Sequence, residues 1–169
     1  VSAPEGIDVK YMKYLKIRFA LEKRDLAYMI SAFSTALVDL LDYMKENHEQ
    51  LCDEIEKGII SLDLNISEEL RTSLEKNMKP DPKRADELRK EFRKGFDTPI
   101  VPRIWPRIKM VSSIGTGSFF TYYKKLRGYI GRNVPYHNLS YVASEALIAV
   151  ARRTGDTSYV LIPDGGFYE

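Results

Sequence analysis

The chain has 169 residues, of which 44% are hydrophobic and 30% are charged, and its formal net charge is +2. This composition is that of about one globular domain with a packed core, and it excludes wholesale disorder. The small net charge gives no reason to expect nucleic acid as a partner, and no uncharged stretch is long and apolar enough to cross a membrane.

The first part of the chain, residues 1–97, is predicted to be mainly helical. Residues 10–22 fit a strand or a helix. Over 25–56 the apolar residues recur at spacings of three and four, which predicts one long helix with Gly58 as its C-terminal cap. Such a helix would be about 45 Å long, so a break at 47–48 is an open alternative. The stripe consists of Ile30, Phe33, Leu37, Leu40, Met44, Leu51 and Ile55.

Two shorter helices and a linker are expected next. Ser67 is a capping residue followed by two acids, and Asp81-Pro82 places proline at a first helical position. The buried face of the second helix is predicted to consist of Ala85, Leu88 and Phe92. The linker contains Trp105, interpreted as a structural anchor, and its prolines are expected to prevent regular structure. These prolines are Pro99, Pro102 and Pro106.

The second part, residues 98–169, alternates strand and helix patterns. The predicted strands are 108–114, 134–139, 147–152 and 158–162, and the predicted helix is 119–130. The first two strands and the helix make a βαβ unit with parallel strands, and the last two strands are predicted to form a hairpin. The predicted fold class is therefore α/β, with a helical layer packed on a mixed, partly parallel sheet.

The first candidate functional motif is the turn Gly115-Thr116-Gly117-Ser118, between a strand and a helix. Glycines permit close approach of a ligand, and free amides at a helix start attract anions or polar ring atoms. The motif is not a P-loop, because no Gly-Lys-Ser/Thr follows, and it is not a Rossmann fingerprint, because it has only two glycines. A plain turn without function fits the same residues.

The second candidate motif is Tyr141-Val142-Ala143-Ser144-Glu145. Ligands of open α/β sheets bind at the carboxyl ends of parallel strands, so both motifs are expected at one edge of the sheet, facing one crevice. There a tyrosine ring can stack on a nucleobase, a serine hydroxyl can hold a phosphate oxygen and a carboxylate can hold Mg²⁺. An ordinary strand end is the alternative interpretation.

Charge is distributed unevenly along the chain, since no acidic residue occurs between Asp97 and Glu145. This stretch fits an anion site with Glu145 as its one carboxylate, or simply solvated helix faces. A nucleic-acid groove is disfavoured because the bases are spread over about 30 residues. The bases are Arg103, Arg107, Lys109, Lys124, Lys125, Arg127 and Arg132.

Taken in order, these segments resemble the auxin-responsive acyl-acid amido synthetase family, which belongs to the adenylate-forming superfamily. The resemblance covers most of the chain, including 46–58 and Ile104-Trp105-Pro106, and is sharpest at Gly117-Ser118 and at Tyr141 to Glu145. It implies that the chain is an internal fragment of that family's N-terminal domain, one partial domain overall. The phosphate loop would lie upstream of the chain, and a mobile C-terminal domain would lie downstream.

The resemblance also implies site residues and cofactors. Tyr141 would stack on the adenine of ATP or AMP, Ser144 would contact the AMP phosphate, and Glu145 would hold Mg²⁺. The resemblance makes Ser144 and Glu145 the catalytic residues of the chain. The adenine pocket would be lined by Gly115, Thr116, Gly117 and Ser118.

The implied reaction activates a small carboxylic acid with ATP to an acyl-adenylate, from which an amine or amino acid forms an amide. A cytoplasmic location agrees with the single cysteine, Cys52, which cannot form an internal disulfide. The fragment alone would be inactive, because its partners include the rest of its own chain; nucleic acid and membrane are not expected partners. The alternative is a non-catalytic helical and α/β interaction module in which Tyr141 is a core residue.

Overall fold

A computed structural model describes residues 11–143, 146–156 and 158–163 of the chain. Its helices are α1 (Met12–Glu22), α2 (Ser34–Glu46), α3 (His48–Lys57), α4 (Glu68–Glu75), α5 (Pro82–Phe92), α6 (Val101–Ile104) and α7 (Phe120–Ile130). Its strands are β1 (Tyr28–Phe33), β2 (Met110–Ile114), β3 (Tyr136–His137), β4 (Ser140–Val142), β5 (Leu147–Ala151) and β6 (Tyr159–Leu161). Within these described residues, no helix has the length and apolar character needed to span a membrane.

The first sheet has the strand order β1-β2-β3, and both of its pairings are parallel. Strand β2, helix α7 and strand β3 form the βαβ unit that the sequence predicts, so this prediction is confirmed. Strand β1 comes from the first part of the chain and extends the sheet, with Tyr28 opposite Met110. Parallel pairing requires a long crossover connection between the two strands. The connection from β1 to β2 contains helices α2 to α6.

The single long helix predicted over 25–56 is wrong, because its first residues form β1. The predicted apolar stripe includes Ile30 and Phe33, yet they are 64% and 43% exposed, whereas Met29 is 6% exposed. Their spacing continues the apolar stripe of α2 by coincidence. Backbone pairing with β2 decides the local structure instead, as tertiary contacts commonly override a local pattern.

Several predicted helix boundaries are confirmed. The chain breaks between α2 and α3 at 47–48, and Gly58 ends α3 in the left-handed region with φ +69°. The side chains of Ser67 and Asp81 each accept a hydrogen bond from a backbone N–H in the first turn of the helix that follows. Helix α4 ends at Glu75.

The proline-rich linker is more regular than predicted, since it contains the short helix α6. Pro102 lies in the first turn of α6, where a missing N–H removes no helical hydrogen bond. Trp105 follows and is fully buried, and its indole N–H donates to the main-chain oxygen of Ala20 at 3.2 Å. The prediction that Trp105 anchors the linker to the core is confirmed.

The second sheet has the strand order β4-β5-β6, and both of its pairings are antiparallel. The predicted hairpin of β5 and β6 is confirmed, with Val150 opposite Val160. Strand β4 contains Tyr141, which pairs with Ala149. The predicted α/β class is confirmed, with parallel and antiparallel pairs divided between two sheets.

Two buried arginines join the helices of the first part. Arg18 in α1 is fully buried, and its Nη2 donates to the main-chain oxygens of Glu54 and Ile59, both at 2.9 Å. Arg84 in α5 is 4% exposed, and its Nη2 donates to the main-chain oxygen of Ile104 at 3.0 Å. Buried carbonyl groups need donors, so these side chains hold α1, α3, α5 and α6 together.

Candidate functional site

The two candidate motifs line one cavity of about 540 Å³. The turn after β2 contributes Thr116, Gly117 and Ser118, and the segment of β4 contributes Tyr141 together with its neighbours. The complete lining is Phe33, Ile114, Thr116, Gly117, Ser118, Phe119, Ser140, Tyr141, Val142 and Ala143. The expectation of a common crevice is therefore met for the described motif residues other than Gly115, which is not in the lining. The expected position at one edge of the parallel sheet is wrong for Tyr141, because it lies in the antiparallel second sheet.

The glycines of the turn are required for two different reasons. A Cβ on Gly115 would lie 3.1 Å from Tyr123 Cβ and closer still to the hydroxyl of Tyr136, so no side chain fits there. Gly117 has φ +57°, a left-handed conformation that other residues adopt at a cost. The 3₁₀ turn Gly117–Phe119 then leads directly into α7. The chain can therefore leave β2 and enter the helix within a few residues.

Side-chain hydrogen bonds connect this turn to the second sheet. Asn138 Oδ1 accepts the N–H of Gly115 at 3.1 Å, and Asn138 Nδ2 donates to the main-chain oxygen of Asp156 at 3.2 Å. The hydroxyls of Thr116 and Tyr159 share a hydrogen bond at 2.9 Å. Three hydrogen bonds thus make two links from the turn to the β5–β6 hairpin, one through Asn138 and one directly from Thr116 to Tyr159.

Aromatic rings contribute to the walls of the cavity. Tyr141 is 54% exposed, and its ring centroid lies 6.3 Å from that of Tyr159. Phe33 at the end of β1 and Phe119 are stacked, with centroids 4.8 Å apart and an interplanar angle of 25°. Exposed ring faces can stack on a planar ligand, so the cavity is suited to a flat aromatic group.

A buried tyrosine, Tyr136, packs against the turn at Gly115. Tyr136 donates its hydroxyl hydrogen to the main-chain oxygen of Ser113 at 2.9 Å. Burial raises the pKa of Tyr136 above its ordinary value, although the hydrogen bond with Ser113 opposes that shift. The guanidinium of Arg127 lies 5.4 Å from the centre of the Tyr136 ring. Tyr136 therefore stays protonated at ordinary pH, next to the charged side chain of Arg127.

The seven bases of the acid-free stretch do not gather at this cavity, since its lining contains none of them. Arg103 pairs with Glu91, and Lys125 pairs with Asp42 at 2.6 Å. Arg127 donates to the main-chain oxygen of Val134 at 2.9 Å. At least these three bases have structural partners, so the interpretation of the stretch as one anion site gains no support from them.

Ser144 and Glu145 lie outside the described residues, so their predicted roles remain predictions. The residues on either side of them are joined by a hydrogen bond from Ala143 N to Ala146 O at 2.9 Å. Among the residues that the structure describes, no group of three or more His, Cys, Asp or Glu side chains is placed to hold a metal ion.

Sequence reasoning missed Phe33, Asn138 and Tyr159. Phe33 was assigned to a helix, and only its pairing partner Ile114 in β2 brings it to the cavity. Asn138 lies within the predicted strand 134–139, where an amide side chain is a candidate for a buried hydrogen-bond network. Tyr159 lies in a predicted hairpin strand, but no local pattern indicates that its hydroxyl contacts Thr116.

Comparison with known families gives one match over most of the chain. Residues 2–136 match the family model described as the GH3 family N-terminal domain. The chain is 31% identical over 147 residues to the jasmonoyl–L-amino acid synthetase GH3.5 of Oryza sativa subsp. japonica, covering 83% of this chain and 25% of that protein. It is 25% identical over 171 residues to the probable indole-3-acetic acid-amido synthetase GH3.6 of the same organism, covering 97% and 35%.

Solved structures agree on the fold. The structure titled GH3.15 acyl acid amido synthetase has a TM-score of 0.82 and 24% identity, and the match covers 95% of this chain and 30% of that one. A second structure, AtGH3.15 in complex with 2,4-DB, has a TM-score of 0.72 and 23% identity, with coverage of 85% and 25%. In these four matches the chain spans between 25% and 35% of the length of the matched protein.

Proposed function

The chain belongs to the GH3 family, and we propose that it forms the adenine-binding part of an ATP-dependent acyl-acid amido synthetase. The activity is assigned to the full-length protein, and we expect none from this chain alone. The observation that carries the proposal is the shared cavity, in which the turn residues Thr116 to Ser118 meet the exposed ring of Tyr141.

The dimensions and lining of the cavity support this assignment. Its volume of about 540 Å³ falls within the roughly 300–1,000 Å³ of small-molecule sites. Stacking of a base on an aromatic side chain contributes about 1–3 kcal/mol, and Tyr141 has an exposed ring for this purpose. The turn Gly115 to Ser118 would line the adenine pocket, because a backbone with little side-chain bulk permits close approach.

The proposed reaction has two steps. A carboxylate oxygen attacks the α-phosphorus of ATP, the bond to the bridging β-phosphate oxygen breaks, and pyrophosphate leaves. The nitrogen of an amine or amino acid then attacks the acyl carbon, the bond to AMP breaks, and the amine loses a proton. Ser144 would contact the α-phosphate in both steps. The names of the relatives, which refer to jasmonoyl and indole-3-acetic acid conjugation, support small carboxylic acids as the substrate class.

We assign Glu145 as the magnesium ligand of the complex. Mg²⁺ in nucleotide sites usually binds one or two carboxylates, substrate phosphates and waters. A single carboxylate next to the nucleotide therefore fits, and no cluster of carboxylates is needed. The bound ion would supply neutralisation of phosphate charge, while the chain's own residues orient the base and the phosphate.

We also propose a cytoplasmic location for the full-length protein. Cys52 is a fully buried free thiol, and burial raises its pKa to about 11, which keeps it in the unreactive protonated form. A reducing compartment agrees with this state. A fluorescent fusion of the full-length protein should be diffuse in the cytoplasm, and secretion would contradict the assignment.

The test of the proposed function is exchange of labelled pyrophosphate into ATP by the full-length protein, measured with a panel of carboxylic acids. Exchange should depend on one or more of the acids. Glu145→Ala should reduce the exchange rate on the order of a hundredfold or more, since charge stabilisation at the phosphates is lost. Asp86→Ala is the matched control, because Asp86 is an exposed carboxylate on α5, away from the cavity, and the exchange rate should be unchanged.

Absence of exchange with every acid would overturn the proposed function. Unchanged exchange by the Glu145→Ala variant would remove the magnesium assignment while leaving adenylation in place. Only absence of exchange with every acid would support the alternative, a non-catalytic interaction module.

A further inference from the structure

We propose that Asn138 is a positioning residue that holds the Gly115–Ser118 turn ready for the nucleotide, an inference that rests on the proposed function. Asn138 lies between β3 and β4 and is only 3% exposed. It does not line the cavity, so it acts through Gly115, whose N–H it accepts.

The hydrogen bonds of Asn138 fix its orientation. Oδ1 accepts from Gly115 N at 3.1 Å, and Nδ2 donates to Asp156 O at 3.2 Å. Rotating the amide by 180° would place two donors opposite each other at Gly115 and two acceptors opposite each other at Asp156. One orientation alone therefore satisfies both partners. The side chain acts as a rigid link between the turn and the residues between β5 and β6.

The turn needs such a link because little packing surrounds its tip. A Cβ built on Gly117 would meet no atom within 4 Å, and the residue is exposed. The beginning of the turn is held by Asn138 and by the hydroxyl pair of Thr116 and Tyr159 at 2.9 Å. A turn that is ordered before the ligand arrives loses less conformational entropy on binding. Loss of the Asn138 link should therefore weaken nucleotide binding specifically.

The experiment compares kinetic constants for pyrophosphate exchange by the full-length protein. Asn138→Ala should raise the KM for ATP on the order of tenfold, the effect of losing one buried hydrogen bond. The kcat and the KM for the carboxylic acid should stay within about twofold. Asn138→Asp keeps an acceptor for Gly115 N–H but loses the donor to Asp156 O, so it should restore the ATP affinity only in part. Tyr159→Phe should raise the KM for ATP less than Asn138→Ala does.

The matched control is Ser112→Ala, in strand β2. Ser112 is 1% exposed, and its hydroxyl donates to the main-chain oxygen of His137 at 3.1 Å without contacting the turn. Its loss should lower the melting temperature and leave the KM for ATP unchanged. An unchanged KM for ATP in Asn138→Ala, or an equal rise in both variants, would overturn the proposal, since either result assigns Asn138 a structural role only.

Hydrogen exchange separates this proposal from the proposed function. In the full-length protein, the Gly115 amide should be protected, and Asn138→Ala should abolish that protection while Ser112→Ala preserves it. Retained protection in Asn138→Ala would overturn the positioning role. Missing pyrophosphate exchange in the unmodified protein, with the protection pattern as expected, would overturn the nucleotide chemistry but not the ordering of the turn.

Discussion

The helical first part and the cavity region differ in what they leave exposed. In the first part, Arg18 and Arg84 are buried and bonded to main-chain oxygens, and Arg89 binds both Asp53 and Glu56. Around the cavity, buried polar groups such as Asn138 also support the fold, but the ring of Tyr141 remains exposed. Only the cavity region therefore combines an internally bonded turn with a ring that a ligand can reach. Stability and ligand affinity should therefore respond to mutations in different places.

The largest effect on stability is expected from Arg18→Met. The substitution removes the donor for two main-chain oxygens and leaves Glu54, which is 5% exposed, without the guanidinium 3.6 Å away. Breaking a buried ion pair costs roughly 3–5 kcal/mol. The free energy of unfolding should fall by this amount, as measured by urea denaturation of the full-length protein followed by circular dichroism.

Arg24→Met is the control for this comparison. Arg24 pairs with Asp81 at 2.9 Å, but its side chain is 42% exposed, and exposed pairs contribute about 0–1 kcal/mol. Equal losses of the free energy of unfolding in Arg18→Met and Arg24→Met would contradict the prediction that the buried arginine stabilises the fold more than the exposed one.

Gly115→Ala tests whether the turn is closely packed at its base. The new methyl group would collide with the hydroxyl of Tyr136, and overpacking costs about 1–3 kcal/mol. The loss should appear as a lower melting temperature, and Gly115→Ala should cost less in a Tyr136→Phe background than in the unmodified protein. Gly128→Ala in α7 faces open space and should stabilise the protein by up to about 1 kcal/mol. A destabilising Gly128→Ala or a neutral Gly115→Ala would contradict this packing.

Tyr141→Ala should separate affinity from stability. Loss of a stacking ring should weaken ATP binding by about 1–3 kcal/mol, or roughly 5- to 150-fold in KM. The melting temperature should barely change, because the ring is 54% exposed. Tyr122→Ala, on the exposed side of α7 and outside the cavity lining, is the control and should leave the KM for ATP unchanged. A large stability loss in Tyr141→Ala would indicate a core residue instead.

The smallest effect is expected at Asp42, which joins α2 to α7. Asp42 accepts hydrogen bonds from Lys125 at 2.6 Å and Tyr129 at 2.5 Å. Burial alone would raise the pKa of Asp42, but these two bonds outweigh it and lower the pKa below its ordinary value. The stabilisation is therefore present above the unfolded pKa of about 3.9 and is lost as pH falls through the folded pKa.

Asp42→Asn should consequently lower the free energy of unfolding at pH 7 by about 1 kcal/mol or less, since Lys125 is 55% exposed. The difference from the unmodified protein should shrink below about pH 4. This difference in stability is measured from the urea midpoints of both proteins at pH 7 and at pH 3. A difference of equal size at the two pH values would argue against the lowered pKa of Asp42.

The sequence predicts elements whose signals are local. The starts of α4 and α5 follow from the capping residues Ser67 and Asp81, and the end of α3 follows from Gly58. Residues 28–33 could not be assigned correctly, because their partner strand lies about eighty residues later and the apolar spacing of the following helix runs through them. Local pattern cannot reveal a pairing partner.

The candidate site was predictable only in part, for the same reason. The turn at Gly115 to Ser118 and the ring of Tyr141 are visible as motifs, and the structure brings them to one cavity. Phe33 and Tyr159 come from segments with no motif of their own, and they reach the site through strand pairing. A hydrogen bond such as that between Asn138 and Gly115 depends on how two loops meet in space.

The pairing of β1 with β2 also affects the order in which this chain can fold during synthesis. The parallel pairing of β1 with β2 cannot form until Met110, the partner of Tyr28, has left the ribosome. Helices α3 and α5 are closer in sequence and can pack against each other earlier. Contacts between distant residues form slowly because the intervening chain must first be closed into a loop. The nascent protein therefore leaves the main-chain groups of β1 without their partners in β2 while translation proceeds, and this interval is when a chaperone would have most to bind.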